Sequence, residues 1–146
     1  MARLEGMEIL NSCASAADLR EKITSFLETH DLAPDDIDLM ISGRLGTEEE
    51  HPFLLKVEEL FNPGSILAYK HLVGQYYTAS AFAFWLAAQI LKDQVVPVSL
   101  FIKGISAFQG DLPMDGETVG PIRRVLIFNQ DKGRDFSWIL LSHPNI

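Results

Sequence analysis

Charge is missing from the middle of this sequence. Between Lys70 and Lys92 there is no Asp, Glu, Lys or Arg, and the intervening residues read HLVGQYYTASAFAFWLAAQIL. Their spacing predicts a helix over 76–91 with no charged position on any side. A helix that is apolar all round is buried all round, inside a protein assembly or in a membrane. The membrane alternative is the weaker one, because 16 continuous helix-like residues fall short of the ~20 that a bilayer core needs. Gln75, Thr78, Ser80 and Gln89 dilute the stretch further, and no Lys/Arg cluster flanks it to set an orientation. A protein-buried helix is the expectation, with no membrane partner.

Cysteine is nearly absent as well. The single Cys13 excludes an internal disulfide and suits a reducing cytoplasm. No His or Asn accompanies it in a recognisable pattern, so it reads as a small residue at a strand end rather than a nucleophile. The opening residues lack the basic, apolar and small-residue succession of a signal peptide. Basic residues are few: 12 Lys/Arg against 20 Asp/Glu give a net charge of −8. Residues 1–91 hold six Lys/Arg and 14 Asp/Glu, whereas 92–146 hold six of each, so the whole excess lies in the first two-thirds. An acidic chain with pI near 4.8 is poorly suited to neutralising a phosphate backbone, and no nucleic-acid partner is expected. Solubility is the ordinary reason for such a surface.

Metal-ligand spacing is also lacking. His30, His51, His71 and His143 are scattered, without His-x-x-x-His or Cys/His patterns, so neither metal nor cofactor is expected. His71, followed by apolar residues, reads as a satisfied core histidine. Glu48–Glu50 reads as a helix-start cluster rather than a cation site. The Gly43–Gly46 stretch is too short for a phosphate loop, and Arg123–Arg124 reads as solvated surface before it reads as an anion contact.

What is present fits one domain over 1–146. Met7–Leu10 is a first strand. Ser15-Ala-Ala-Asp18 has the form of a helix start, and Leu19, Ile23, Phe26 and Leu27 continue it at helical spacing over 16–29. Ile37–Ile41 is a buried strand. Thr47-Glu-Glu-Glu50 opens a second helix carrying Leu54, Leu55, Val57, Leu60 and Phe61, which stops at Asn62-Pro63-Gly64. Ser65–Tyr69 is a third strand, followed by the charge-free helix. A Gly- and Pro-punctuated segment over 98–121 is long for a plain connection. Arg124–Phe128 and Phe136–Leu141 flank a polar turn with one Gly and form a closing hairpin. The expected class is α/β, ordered β-α-β-α-β-α-β-β, with a mixed, mostly parallel five-stranded sheet, an antiparallel hairpin at its edge and one central apolar helix.

In this order, several segments resemble the C-terminal half of β-ketoacyl-acyl-carrier-protein synthases, which have the thiolase-like fold. Asp36-Ile-Asp-Leu-Met-Ile-Ser-Gly-Arg-Leu-Gly-Thr47 is similar to the family's Asp-Ile-Asp-Tyr-x-Asn-x-His-Gly-Thr-x-Thr strand and loop. Tyr69-Lys-His-Leu-Val-Gly-Gln75 is similar to Thr-Lys-Ser-x-x-Gly-His, and Leu91-Lys-Asp-Gln-Val-Val-Pro97 to Leu-x-Asp-Gly-x-x-Pro. The last hairpin sits where the family has a Phe-Gly-Phe-Gly-Gly turn. Met7–Ser12 and Ala14–Asp18 resemble the strand and Asp-Ala that open a synthase's second half. The similarity runs over nearly the whole chain.

The departures carry the functional expectation. The resemblance puts the family's two decarboxylating histidines at Gly43 and Gln75, while Lys70 is retained; the half that bears the Cys nucleophile has no counterpart here. Glycine offers no donor to an enolate oxygen. Glutamine can donate through its amide but cannot relay a proton as imidazole can. No catalytic residue is therefore intact, and Lys70, Gln75 and Asn129 remain as candidate ligand-binding residues. The resemblance also implies a helix sandwiched between two sheets, so that one face of residues 75–91 awaits a second half. Covering ~300–500 Å² there, at ~25 cal/mol/Å², offers roughly 8–12 kcal/mol before association costs. Tyr76, Tyr77, Phe82, Phe84 and Trp85 are the candidate interface.

The leading expectation is a catalytically silent ketosynthase-like subunit, partner or scaffold in fatty-acid or polyketide assembly. It would pair as a homodimer, or as a heterodimer with a ketosynthase-like protein, with acyl carrier protein as a further partner. The alternatives are an acyl-thioester enzyme completed by a partner chain, through Gln75 and Lys70, and a module that binds coenzyme A or an acyl group.

Overall fold

Five apolar runs pair into one sheet, in a computed structural model that describes residues 1–45, 52–62, 65–74, 78–97, 100, 121–131 and 133–145. In chain order the elements are β1 (Arg3–Leu10), α1 (Ala16–Glu28), a 3-10 turn at Pro34–Asp36, β2 (Leu39–Ser42), α2 (Pro52–Glu58), β3 (Ile66–Ala68), α3 (Lys70–Val73), α4 (Ala79–Asp93), β4 (Arg124–Gln130) and β5 (Phe136–Ser142). The sheet order is β1-β5-β4-β2-β3.

The helix starts and stops follow from local chemistry. The Ser15 hydroxyl accepts the Asp18 amide at 3.1 Å, satisfying one of the donors that the first turn of α1 leaves without a partner. Leu19, Ile23, Phe26 and Leu27 then fall on the buried side. Asp31, with φ of 56°, turns the chain out of the helix. The expected start of the second helix at Thr47–Glu50 lies outside the described residues; α2 is described from Pro52 and buries Leu54 and Val57. The short α3 that follows β3 was not expected from the sequence.

Two cores form on opposite faces of the sheet. Leu19, Ile23, Phe26 and Leu27 of α1, with Leu54 and Val57 of α2, cover Met40, Leu126, Phe128, Trp138 and Leu140. On the other face α4 sets Ala83, Leu86, Ala87, Ile90 and Leu91 against Leu39, Ile41, Leu67, Val125 and Ile127. Alternate residues of each strand serve alternate faces, as the two-residue period of a strand requires.

Two expectations about the sheet need correction. The hairpin of β4 and β5 is not an edge: β4 pairs in parallel with β2, and β5 pairs antiparallel with both β4 and β1. Two of the four pairings are antiparallel, so the sheet is mixed rather than mostly parallel. The physical reason is that β1 joins on the outer side of β5. Its pairing partner is therefore β5, 126 residues or more away in sequence, a relationship that local pattern does not encode.

The expected charge-free helix over 76–91 is α4, Ala79–Asp93, which ends on the charged Lys92 and Asp93 and is not buried on every side, since Phe84 and Trp85 are exposed. Tyr76, Tyr77 and Gln75 lie outside the described residues, as do 98, 99 and 101–120 of the long segment. Its two roots are held. Gln94 caps α4 in the left-handed conformation (φ 57°), and its carboxamide both donates to Ile122 O at 2.9 Å and accepts from Ile122 N at 2.8 Å. The Asp38 carboxylate takes the Arg123 and Arg124 amides at 2.7 and 2.8 Å, fixing the start of β4. Among the described residues, no helix is long and apolar enough to cross a membrane.

Candidate functional site

In open α/β sheets, ligands bind beyond the carboxyl ends of the parallel strands. Here those ends belong to β2, β3 and β4, and they bring together Gly43, Lys70 and Asn129, three residues far apart in sequence. Gly43 follows β2, and its amide donates to Phe128 O at 2.7 Å, continuing the parallel ladder. Lys70 opens α3 immediately after β3 and is buried. Asn129 is buried near the end of β4. Gln75, the fourth candidate, lies outside the described residues.

On the α4 side of this edge the site is filled by its own side chains. The Tyr69 hydroxyl donates to the Asn129 Oδ1 at 2.9 Å, with Tyr69 wholly buried. A Cβ added at Gly43 would stand 2.6 Å from that same oxygen and 3.1 Å from the Asn129 Cα. The carboxamide thus occupies the volume that a side chain at position 43 would need. Phe82 of α4 stacks on Tyr69 at 6.2 Å between ring centroids, and Trp85 packs on Phe82 at 5.5 Å. Among the candidate interface residues, Phe82 is therefore partly occupied by its own chain, whereas Phe84 and Trp85 are exposed.

On the α2 side lies a second polar group. The Ser42 hydroxyl donates to Glu58 Oε1 at 2.6 Å, and Arg44 Nε approaches the same oxygen at 3.2 Å, too misaligned for a hydrogen bond. A carboxylate on a serine hydroxyl invites comparison with an activated nucleophile. Ser42 is fully buried, however, and its hydroxyl proton is engaged by Glu58. The arrangement is a structural ion pair that ties the end of β2 to α2.

The remaining candidates are dispersed. Cys13 is buried in the loop after β1, where its thiol donates to Ser15 O at 3.2 Å. Burial pushes that thiol's pKa up, and the nearby Asp18 carboxylate adds to the shift, so it is held protonated and unreactive. His71 is exposed rather than a core histidine. His30 lies between Phe26 O at 2.8 Å and Glu5 O at 3.3 Å, linking α1 to β1. His51 is outside the described residues, and His143 makes a 3.3 Å contact with the Asn145 amide in the C-terminal turn. Among the described residues no group of His, Cys, Asp or Glu is arranged to hold a metal ion.

Sequence reasoning singled out Gly43, Lys70 and Asn129 but not the groups that engage them. Tyr69 carried a readable signal, since it immediately precedes Lys70 in the quoted motif. Ser42, Arg44 and Glu58 carried none beyond adjacency to Gly43, because their pairing spans 16 residues and depends on how α2 docks. The sequence matches no protein-family model, no curated protein and no solved structure.

Proposed function

We propose that this chain is a catalytically silent β-ketoacyl synthase-like subunit of the thiolase-like fold, serving in the cytoplasm as partner or scaffold in fatty-acid or polyketide assembly. The observation that carries the reading is the filled position at Gly43. The resemblance places a decarboxylating histidine there, and the Asn129 carboxamide, held by Tyr69, takes up that space. Claisen chemistry needs a donor for the enolate oxygen and a proton relay. Tyr69 spends its proton on Asn129, and Cys13 is protonated and enclosed on the other side of the sheet.

The element order supports the same reading, because β-α-β-α-β-α-β-β is the order that the resemblance implies, with α3 as a single added turn. So does the gathering of Gly43, Lys70 and Asn129 at one end of the sheet. The chain would pair with a ketosynthase-like protein or a second copy of itself, and meet acyl carrier protein as part of that assembly.

A malonyl-thioester decarboxylation assay on the pure chain tests the proposal. Turnover should not exceed the protein-free blank, and Gln75→Ala should change nothing. Turnover abolished by Gln75→Ala would overturn catalytic silence and favour an enzyme that works through Gln75 and Lys70.

A further inference from the structure

Arg44 follows β2 by two residues, at the carboxyl ends of the parallel strands, and its side chain is only 13% exposed. A guanidinium brings five N–H donors and no acceptor to such a place. Its Nε is wholly enclosed yet makes no hydrogen bond, because the Glu58 carboxylate 3.2 Å away is out of line. Among the described residues Glu58 is the only charged partner of Arg44, and neither terminal nitrogen, Nη1 or Nη2, makes a hydrogen bond. Unlike Nε, those two nitrogens are not sealed from solvent.

Donors on a side chain packed this deeply nearly always meet an acceptor. Here the side chain is held firmly while four of its donors face no protein group. The Ser42 hydroxyl fixes the Glu58 carboxylate at 2.6 Å, and Glu58, itself 8% exposed, faces the guanidinium from the α2 side. Lys70, also buried, opens α3 at the same end of the sheet and brings a second basic side chain there. In a chain of net charge −8, two basic residues placed about one buried carboxylate form a local reversal of sign.

We infer that Arg44 is the receptor for a small oxyanion, a carboxylate or phosphate group bound on its terminal nitrogens. The planar fork of a guanidinium matches two oxygens of either group. Ser42 and Glu58 act as positioning residues that hold the fork before the ligand arrives. The narrow exposure of Arg44 admits one oxyanion group and excludes a broad protein face. Glu58 carries the same sign as the ligand, so it orients Arg44 and weakens binding at once. The inference stands on these contacts and does not need the ketosynthase reading.

The test is isothermal titration calorimetry of the full chain with sodium phosphate and, separately, sodium acetate, at ionic strength held constant with chloride. Saturable binding of at least one anion at one site per chain is expected. Phosphate alone would assign a phosphate group, and acetate binding as well or better would assign a carboxylate. Arg44→Lys keeps the charge but loses the fork, and should weaken binding by about tenfold or more. Glu58→Gln keeps an acceptor for Ser42 but removes the competing charge, and should tighten binding several-fold. These opposite shifts separate ligand contact from damage to the fold, and far-UV dichroism checks that both variants stay folded. No saturable binding of either anion, equal affinity in Arg44→Lys, or no tightening in Glu58→Gln would each overturn the inference.

Discussion

The Asn129 carboxamide oxygen receives the Tyr69 hydroxyl proton at 2.9 Å and stands 2.6 Å from where a Gly43 Cβ would be. One atom thus links the ends of β2, β3 and β4 and sets the side-chain size allowed at position 43. Any side chain there must displace Asn129, whose own Cα lies 3.1 Å away. Gly43→Ala should cost about 1–3 kcal/mol of stability by overpacking. Paired with Asn129→Ala, which removes the obstructing carboxamide, it should cost less than the two single changes added together. Denaturant unfolding of the three variants measures this, and strict additivity would show that the clash does not govern the site. Tyr69→Phe leaves the buried carboxamide oxygen without its donor and should cost about 1–3 kcal/mol.

Glu58 is the hub of the pair of contacts at the end of β2, accepting from Ser42 and facing Arg44. Removing one member of a buried ion pair leaves a charge without compensation. Glu58→Ala should therefore destabilise by roughly 3 kcal/mol. Glu58→Gln keeps an acceptor for Ser42 and should cost less. Equal losses for the two variants in chemical denaturation would mean that the hydrogen bond contributes nothing apart from the charge.

The Glu5 carboxyl titrates below the ordinary glutamate range, chiefly because it accepts the Ser142 hydroxyl and, secondarily, the Arg3 guanidinium, with desolvation opposing both. The folded chain thus binds this proton less readily than the unfolded chain. Its contribution is full above the unfolded value of about 4.3 and disappears as pH falls through the lower folded one. The melting temperature of the unmodified chain should drop below about pH 4.3, and Glu5→Gln should flatten that part of the curve. Parallel acid limbs in the two proteins would remove Glu5 from the account.

Cys13 should behave as an enclosed thiol. Desolvation raises its pKa, and the residue is almost wholly buried. Reaction with a disulfide reagent at neutral pH should be at least tenfold slower in the native chain than in denaturant, because only thiolate attacks and little forms. Labelling at the unfolded rate under native conditions would contradict this placement.

Much of the secondary structure was legible because its determinants are local. The Ser15 cap, the spacing of Leu19, Ile23 and Phe26, and the Gly133 turn with φ of 60° each act within a few residues. The sheet order was not legible. Arg124–Gln130 reads equally well as an edge or a central strand, and only its pairing with both β2 and β5 decides. At the site, Gly43 and Asn129 were readable from motif positions, but their contact joins residues 86 apart and appears only once β4 lies beside β2. The lack of charge from His71 to Leu91 is a property of the sequence, but it does not say which residues the helix's own sheet covers: α4 takes in Lys92 and Asp93 and leaves Phe84 and Trp85 exposed.

Strand β1 has its pairing partner in residues 136–142, a segment synthesised at least 126 residues after it. Until β5 arrives, β4 has one open side and β1 has no ladder at all. Closure is thus the longest-range event in the topology and should be slow compared with helix formation. A nascent chain stalled before Phe136 would offer both strands to any neighbour with an open edge, so timely release and chaperone cover matter more for this sheet than for one whose opening strand pairs early.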